Sequence, residues 1–600
     1  MPQLKTRAQV APEHKWNLTT IFKSDTIWQE CFDQFAIDFE KMKAYEGKLG
    51  DSAENLFICL DEDCKLEVTC HQLFVYAHLK KDEDTANPFY QGMADKIAGL
   101  LVKYQAATSF IRPEIIAIGQ DRVGMYINED GRLEMYRQFF DDIFRAQKHT
   151  LSPDKEELLA KAGEVGQASS NIFSMIDNAD IIFANATDSN GVEHEVTHGR
   201  YSGLMENTDR TLRKNVMSSV LDAYIAQKNT IAEAYNFSVK NDMFKADARN
   251  YASSLDAALC NFNIPKEIYT NLIDTVSDSL HLYHRYIEIR KRCLGYDEIH
   301  MWDLSVPIVE NANTFINWED AKTAVVDGLG ALGEEYQRLV KQGFDNGWVD
   351  VYENKGKRSG AYSWGAYGLP HPFVLMNYDD TIDDMFTLAH EMGHALHSYY
   401  SYANQPVVYG YYSMFLAEVA STVNEALLME HLLNTTKDKT KYNYLLNYFI
   451  QQFVGTFFRQ TMFAEFEMLA HEMAEQRKPL NSESLCNLYR GLCEKHYGAG
   501  VVIDEKADYV WSRIPHFYRT FYVYQYATGF AAAMALSKKI REEGAPAVER
   551  YLKLLKSGSK DYSVNLLKEA GIDMSTSAPI KDALDVFEGL LDRFEEVNFG

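Results

Sequence analysis

The sequence predicts a mainly α protein. Only 14 prolines are spread over 600 residues, and apolar residues recur at helical spacing through most of the long stretches between them. Apolar residues make up 46% and charged residues 24%, the composition of a globular chain rather than a disordered one. A chain this long can bury an extensive core and divide into several domains.

Residues 102–120, 264–294, 320–343 and 441–477 carry the helical spacing most plainly. Two places read differently. Residues 181–184, the run Asp188-Ser-Asn-Gly191 and residues 192–196 read as a strand, an Asn-Gly turn and a returning strand. Farther on, Val349-Asp-Val-Tyr352 leads into a loop holding Gly356, Gly360, Gly365 and Gly368, then into Phe373-Val-Leu-Met-Asn-Tyr378. That segment reads as a small β element.

With 60 Lys+Arg against 86 Asp+Glu, the formal net charge is −26. Such a surface repels nucleic acid unless a basic stripe overrides it, and the sequence has none. Acidity of this kind keeps a cytosolic protein soluble. The eight cysteines (Cys31, Cys59, Cys64, Cys70, Cys260, Cys293, Cys486 and Cys493) form no CxxC pair and read as reduced thiols, mostly buried. The N-terminal residues have no apolar core of a secretory signal, and no window approaches the roughly 18 apolar residues of a membrane span. A cytoplasmic protein without nucleic-acid or membrane partners is expected.

Chemistry enters at Thr387-Leu-Ala-His-Glu-Met-Gly-His-Ala-Leu-His397, which contains HExxH. On a helix, His390 and His394 leave the same face one turn apart. Both nitrogens can then reach one Zn²⁺ at about 2.0–2.1 Å. Glu391 lies about 100° round the helix, beside the metal, where it can take a proton from water. A random chain of this length would show HExxH roughly once in thirty, so the surroundings matter. Met385, Phe386, Leu388, Ala389, Met392, Ala395 and Leu396 make the helix apolar and therefore buried. A buried His and Glu cluster needs partners or a metal. Gly393 costs the helix about 1 kcal/mol, which the close approach of another helix would explain.

A catalytic zinc takes a third protein ligand and keeps one position open. Phe415-Leu-Ala-Glu-Val-Ala-Ser-Thr-Val-Asn-Glu425 is a second apolar helix interrupted by acids, with Glu418 and Glu425 on one face. Glu418 is the third-ligand candidate, and Glu425 is expected to steady a ligating histidine. His397 reads as a hydrogen-bonded neighbour. His471-Glu-Met-Ala-Glu475 lacks the second histidine and is set aside.

The chain resembles the oligoendopeptidase F family, among the thimet-oligopeptidase-like zinc peptidases. The resemblance runs from Lys15-Trp-Asn-Leu-Thr-Thr-Ile-Phe22 through Tyr201-Ser-Gly-Leu-Met-Glu-Asn-Thr-Asp-Arg210. It is densest from Gly360-Ala-Tyr-Ser-Trp-Gly365 to Glu418, and returns in Arg459-Gln-Thr-Met-Phe-Ala-Glu465, Ile514-Pro-His-Phe-Tyr518 and Phe521-Tyr-Val-Tyr-Gln-Tyr526. It implies a clam-like helical zinc peptidase with a deep substrate channel that admits short peptides and bars folded proteins. The family's two histidines, glutamate base and distal glutamate ligand fall on His390, His394, Glu391 and Glu418. The family's oxyanion-binding His and Tyr hydroxyls fall within Tyr518, Tyr522, Tyr524, Tyr526 and His516, with His516, Tyr518 and Tyr524 first in order.

From these readings a metalloendopeptidase with one Zn²⁺ is expected, hydrolysing short oligopeptides through a zinc-activated water with Glu391 as general base. Its domains are a helical one over residues 1–195 and a zinc peptidase catalytic one over residues 196–600, divided at the hairpin. Tyr362, Trp364 and Tyr367, with the 373–378 strand, suit pairing with an extended substrate backbone. Two alternatives have specific consequences. A dipeptidyl carboxypeptidase-type exopeptidase needs a donor for the substrate's terminal carboxylate, and a non-catalytic peptide-binding scaffold needs a zinc closed by four protein ligands. A His₂Glu site also accepts Co²⁺ or Mn²⁺.

Overall fold

The computed structural model describes residues 4–309 and 315–600, which are mainly helical. The chain forms two compact units of interleaved segments. One takes Met1–Lys148, Thr314–Asn434 and Leu536–Ile572; the other takes His149–Asn313, Thr435–Ala535 and Asp573–Gly600. The 195/196 division expected from sequence lies within the His149–Asn313 segment of the second unit.

Each stretch with helical spacing is helical but interrupted, residues 102–120 twice, between Pro88–Thr108, Ile111–Ile118 and Gln120–Glu129. Residues 264–294 hold two helices, Lys266–Asp278 and Leu280–Leu294. Residues 320–343 break between Trp318–Gly328 and Glu334–Asp345, where Gly333 takes φ +91°. Residues 441–477 continue from Lys439–Gln452 to Arg459–Glu475 through a π-helical turn at Phe453–Phe458. Periodicity registers a buried face, and such a face runs on across a short break.

The hairpin near residue 190 is shorter than expected and shifted. Ala186–Thr187 pairs antiparallel with Glu193–His194. The Asp188 carboxylate accepts from the Asn190 and Val192 amides, and Gly191 takes φ +80°. Ile182 is 86% exposed, so no burial holds residues 181–184 as a strand.

In the first unit, Val349–Asp350 and Phe373–Leu375 pair in parallel, and Tyr362–Trp364 pairs antiparallel with Phe373–Leu375. The order puts Phe373–Leu375 in the centre and Tyr362–Trp364 at one edge. The expectation that the 373–378 strand offers a free edge is therefore corrected. Both sides of Phe373–Leu375 are already paired, and the edges belong to Val349–Asp350 and Tyr362–Trp364. Phe373 and Leu375 anchor the sheet in a core with Trp16, Trp28, Leu73 and Tyr76. Beneath it, the buried Asp350 carboxylate meets Lys357 Nζ at 2.7 Å and Arg7 at 2.5 Å. Two cations on one buried acid offset its desolvation.

Among the described residues no helix is long and apolar enough to cross a membrane. None of the eight cysteines forms a disulfide among the described residues; four of them are buried and four half-buried.

Candidate active site

Two helices of the first unit build the site. The helix Ile382–Asn404 starts at a capping box in which the Thr381 hydroxyl accepts from the Asp384 amide and the Asp384 carboxylate accepts from the Thr381 amide. Asp383 and Asp384 also place negative charge at the positive end of the helix dipole. Met385, Phe386, Leu388, Ala389, Met392, Ala395 and Leu396 are buried, as their spacing requires.

Its partner is the helix Met414–Thr435. The two touch at Gly393, where an added Cβ would lie 2.5 Å from Ser421 Cα and 2.8 Å from the Ala420 carbonyl oxygen. Those atoms are backbone and cannot swing aside, which accounts for a glycine inside a helix. Gly393→Ala is expected to destabilise the protein by about 1–3 kcal/mol through overpacking. Calorimetry checks this, and an unchanged first transition would disprove the close approach.

Asn424 ties the pair together. It is fully buried, donates to the Ala389 carbonyl at 3.0 Å and accepts from the Tyr336 hydroxyl at 2.9 Å. Sequence reading passed over it as one polar residue in an apolar helix. Its signal was that a buried amide needs partners on both ends.

This contact brings three side chains together. His390 Nε2 and His394 Nε2 stand 3.1 Å apart, and Glu418 Oε2 lies 3.5 Å from the first and 4.0 Å from the second. Three ligands at zinc's bond lengths in a tetrahedral arrangement are about 3.3 Å apart, so the donor atoms already approximate a metal-binding triangle. Among the described residues this is the one group of three or more His, Cys, Asp or Glu that could hold a metal. Three ligands rather than four are what a catalytic ion needs.

Glu425 Oε1 lies 2.6 Å from His390 Nδ1. That contact turns the other ring nitrogen, Nε2, toward Glu418 and His394. Burial works to lower the His390 pKa, but the Glu425 carboxylate, with the charges of Glu391 and Glu418, raises it to about 9. His394 has no such partner; burial and the neighbouring His390 hold it well below its ordinary value.

Glu391 is 7% exposed, and its Oε2 has no hydrogen-bond partner. Burial raises its pKa to about 7; His390 and the Ser363 backbone lower it, while Glu418 and Glu425 add to the rise. Such an unpartnered buried oxygen costs stability. It suits a group that exchanges protons near neutral pH.

His397 departs from expectation. Neither ring nitrogen has a hydrogen-bond partner; the ring stacks on Tyr412 at 3.5 Å and 14°, and burial holds its pKa down to about 3. The Tyr412 hydroxyl lies 2.8 Å from Ser398 Oγ and 3.4 Å from the His394 carbonyl. Tyr412 thus packs along the helix Ile382–Asn404, a role its isolated position in a loop did not reveal.

The remaining candidates belong to the second unit and are described by their own surroundings. His516 and Tyr518 sit on the short turn Pro515–Tyr518, and Tyr524 opens the helix Tyr524–Glu543. His516 is half-buried, with its pKa lowered by burial and Arg519. Tyr518 stacks on Phe173 at 4.5 Å, and its hydroxyl has no partner. Tyr524 is 2% exposed and packs against Tyr269 at 4.9 Å.

Residues 203–586 match peptidase family M3, and residues 114–183 match the family described as Oligopeptidase F. Oligopeptidase PepF of Bacillus subtilis is 46% identical over 595 residues, covering 99% of this chain and 89% of the relative. Group B oligopeptidase PepB of Streptococcus agalactiae is 39% identical over 591 residues, covering 98% of each. Among solved structures, a peptidase from Chlamydophila abortus superposes with a TM-score of 0.94 at 35% identity, covering 99% of this chain and 100% of that one. Oligoendopeptidase-F from Enterococcus faecium gives 0.73 at 36% identity, covering 96% and 99%. The family match and these relatives define a metalloendopeptidase. The chain belongs to peptidase family M3, in its oligoendopeptidase F group.

Proposed function

We propose that this protein hydrolyses internal bonds of short oligopeptides with one zinc ion held by His390, His394 and Glu418 and with Glu391 as general base. The observation that carries the reading is the convergence of those three donor atoms beside a buried carboxylate whose second oxygen has no partner. The His₂Glu donor set and its spacing fit zinc. When bound, zinc supplies Lewis acidity that polarises the scissile carbonyl and acidifies water.

The chain's own residues do the rest. The Tyr362–Trp364 edge pairs with an extended substrate backbone, giving affinity with little demand on side chains. Glu391 takes a proton from the attacking water as its oxygen bonds to the carbonyl carbon. It then delivers that proton to the nitrogen as the C–N bond breaks. His516, Tyr518 and Tyr524 are the candidates to donate to the oxygen that gains charge, a role worth roughly 3–4 kcal/mol for one good donor. The unpartnered Tyr518 hydroxyl favours that residue, whereas Tyr524 is packed like a core side chain.

The test is an internally quenched peptide about eight residues long, blocked at both ends. Internal cleavage that a chelator stops and zinc restores supports the reading. A requirement for a free C-terminus would move the assignment to a dipeptidyl carboxypeptidase-type exopeptidase. Glu425 has a separate consequence. Compared near pH 9, where little proton competes for His390, Glu425→Gln is expected to weaken zinc binding about 10–100-fold, as loss of a ligand's supporting partner usually does. Competition with a chromogenic chelator measures it, and unchanged affinity would remove Glu425 from the site.

A further inference from the structure

We propose that Glu467, with Asp242 and His471, acts as a positioning residue that holds the segment carrying His516 and Tyr518 in its working conformation.

Phe521 is the starting observation. It has φ +49°, a left-handed conformation that a bulky residue adopts only where its surroundings impose it. Its ring is 2% exposed, packed against His471 at 4.5 Å and edge-on to Tyr269 at 5.7 Å. Its backbone amide donates to Glu467 Oε1 at 2.6 Å. One residue earlier, the Thr520 hydroxyl donates to Asp242 Oδ1 at 2.8 Å.

The groups that hold this turn also hold one another. His471 Nδ1 lies 2.9 Å from the Glu467 carbonyl, and its Nε2 lies 3.4 Å from Asp242 Oδ2. Glu467 is completely buried, and its second oxygen, Oε2, has no partner. A carboxylic acid with one oxygen on a backbone amide and the other unpartnered is a poor choice for core packing, since an apolar side chain would bury more favourably. It is a good choice for fixing one amide.

That amide lies at the join between two candidate groups. Arg519 donates its amide to the His516 carbonyl at 2.9 Å, and Tyr522 donates to the Arg519 carbonyl at 3.1 Å. The backbone thus runs through consecutive turns from His516 to Tyr522, with the clamp at 520–521. On the other side, Phe517 packs on Phe466, the residue before Glu467, at 4.9 Å, and Tyr518 stands edge-on to Tyr235 at 6.1 Å. Release of the Phe521 amide would free the whole 515–522 run. A shift of about 1 Å in a catalytic donor can cost about 10²-fold in rate.

The inference rests on the reading that His516 and Tyr518 assist the reaction, and the experiment separates the two. Steady-state kinetics would compare Glu467→Ala, Glu467→Gln, Thr520→Val, His516→Ala, Tyr518→Phe, and Glu467→Ala combined with Tyr518→Phe and His516→Ala, each with measured zinc content. Glu467→Ala is expected to lower kcat about 10–100-fold, with KM within about threefold and zinc unchanged. Glu467→Gln keeps an acceptor for the amide and should recover most of the loss. In the Tyr518→Phe, His516→Ala background, Glu467→Ala should cost less than about threefold, because its effect acts through those side chains. Should Glu467→Ala fail to fold, Thr520→Val loosens the same turn from an exposed position, and the same loss of kcat with non-additivity is expected. If His516→Ala or Tyr518→Phe lowers kcat while Glu467→Ala and Thr520→Val do not, the positioning role is overturned and the functional reading stands. Equal losses from Glu467→Ala in both backgrounds overturn it as well. If neither His516→Ala nor Tyr518→Phe changes kcat, the reading of the segment fails and this inference with it.

Discussion

Glu391→Gln is expected to lower kcat about 10²–10⁴-fold, the usual contribution of one positioned proton-transfer group, while zinc stays bound and KM changes little. The amide is isosteric with the acid but cannot accept a proton, so shape and metal ligation are kept and proton transfer is lost. Substantial turnover in that variant, freed of contaminating peptidase, would sink the assignment.

The same substitution should stabilise the metal-free protein. Folding raises the Glu391 pKa from its ordinary value near 4.5 to about 7. The folded state therefore holds this proton more tightly than the unfolded state does. Stability from the group is fully present below pH 4.5 and is lost as pH rises toward 7. Above pH 7 the ionised carboxylate costs on the order of 3 kcal/mol, at about 1.36 kcal/mol per pH unit. Glu391→Gln removes that cost, so its thermal midpoint without metal should exceed wild type at pH 8 by more than at pH 5. An active site that gains stability when disabled is what a function-stability trade-off predicts.

Much of this site is legible in the sequence because its logic is local. The four-residue spacing of His390 and His394, the apolar faces around them and the acids at 418 and 425 are all set by one helical period. Gly393 inside a helix signals a close contact, and Ser421 is what it touches. What was not legible depends on contacts far apart in the chain. The strand pairing that leaves Tyr362–Trp364 at the edge is decided by residues 349 and 350 as well as by 373–375. Tyr412 on His397 and Asn424 on Ala389 join separate helices or loops. The interleaved units follow from the same long-range packing, which no periodicity encodes. The contacts on Phe521 are the extreme case: Glu467, Asp242 and His471 look like unremarkable helix residues, and His471 of the incomplete motif packs on Phe521.

Zinc binding is expected to release protons in a pH-dependent way that reports the site's electrostatics. The metal needs His390 with Nε2 unprotonated, yet without metal the Glu425 partnership raises this histidine to about 9 against the pull of burial. Between about pH 7 and 9, each ion bound must displace one proton from His390, so apparent affinity should rise about tenfold per pH unit over that range. His394, held well below its ordinary value, has no proton to give at neutral pH. Glu391, near 7 without metal, adds a second proton as pH falls below that value, since the cation favours its ionised form. Calorimetry in buffers of different protonation enthalpy should therefore find about one proton released at pH 8, rising toward two at pH 6. Glu418→Ala should weaken binding by several orders of magnitude and abolish hydrolysis, but leave the proton count at pH 8 near one, because that proton resides on His390. Glu425→Gln should take the count at pH 8 toward zero. A proton count that ignores Glu425 would mean that the charge on His390 is set elsewhere, and the pairing at 2.6 Å would then be only a hydrogen bond of orientation.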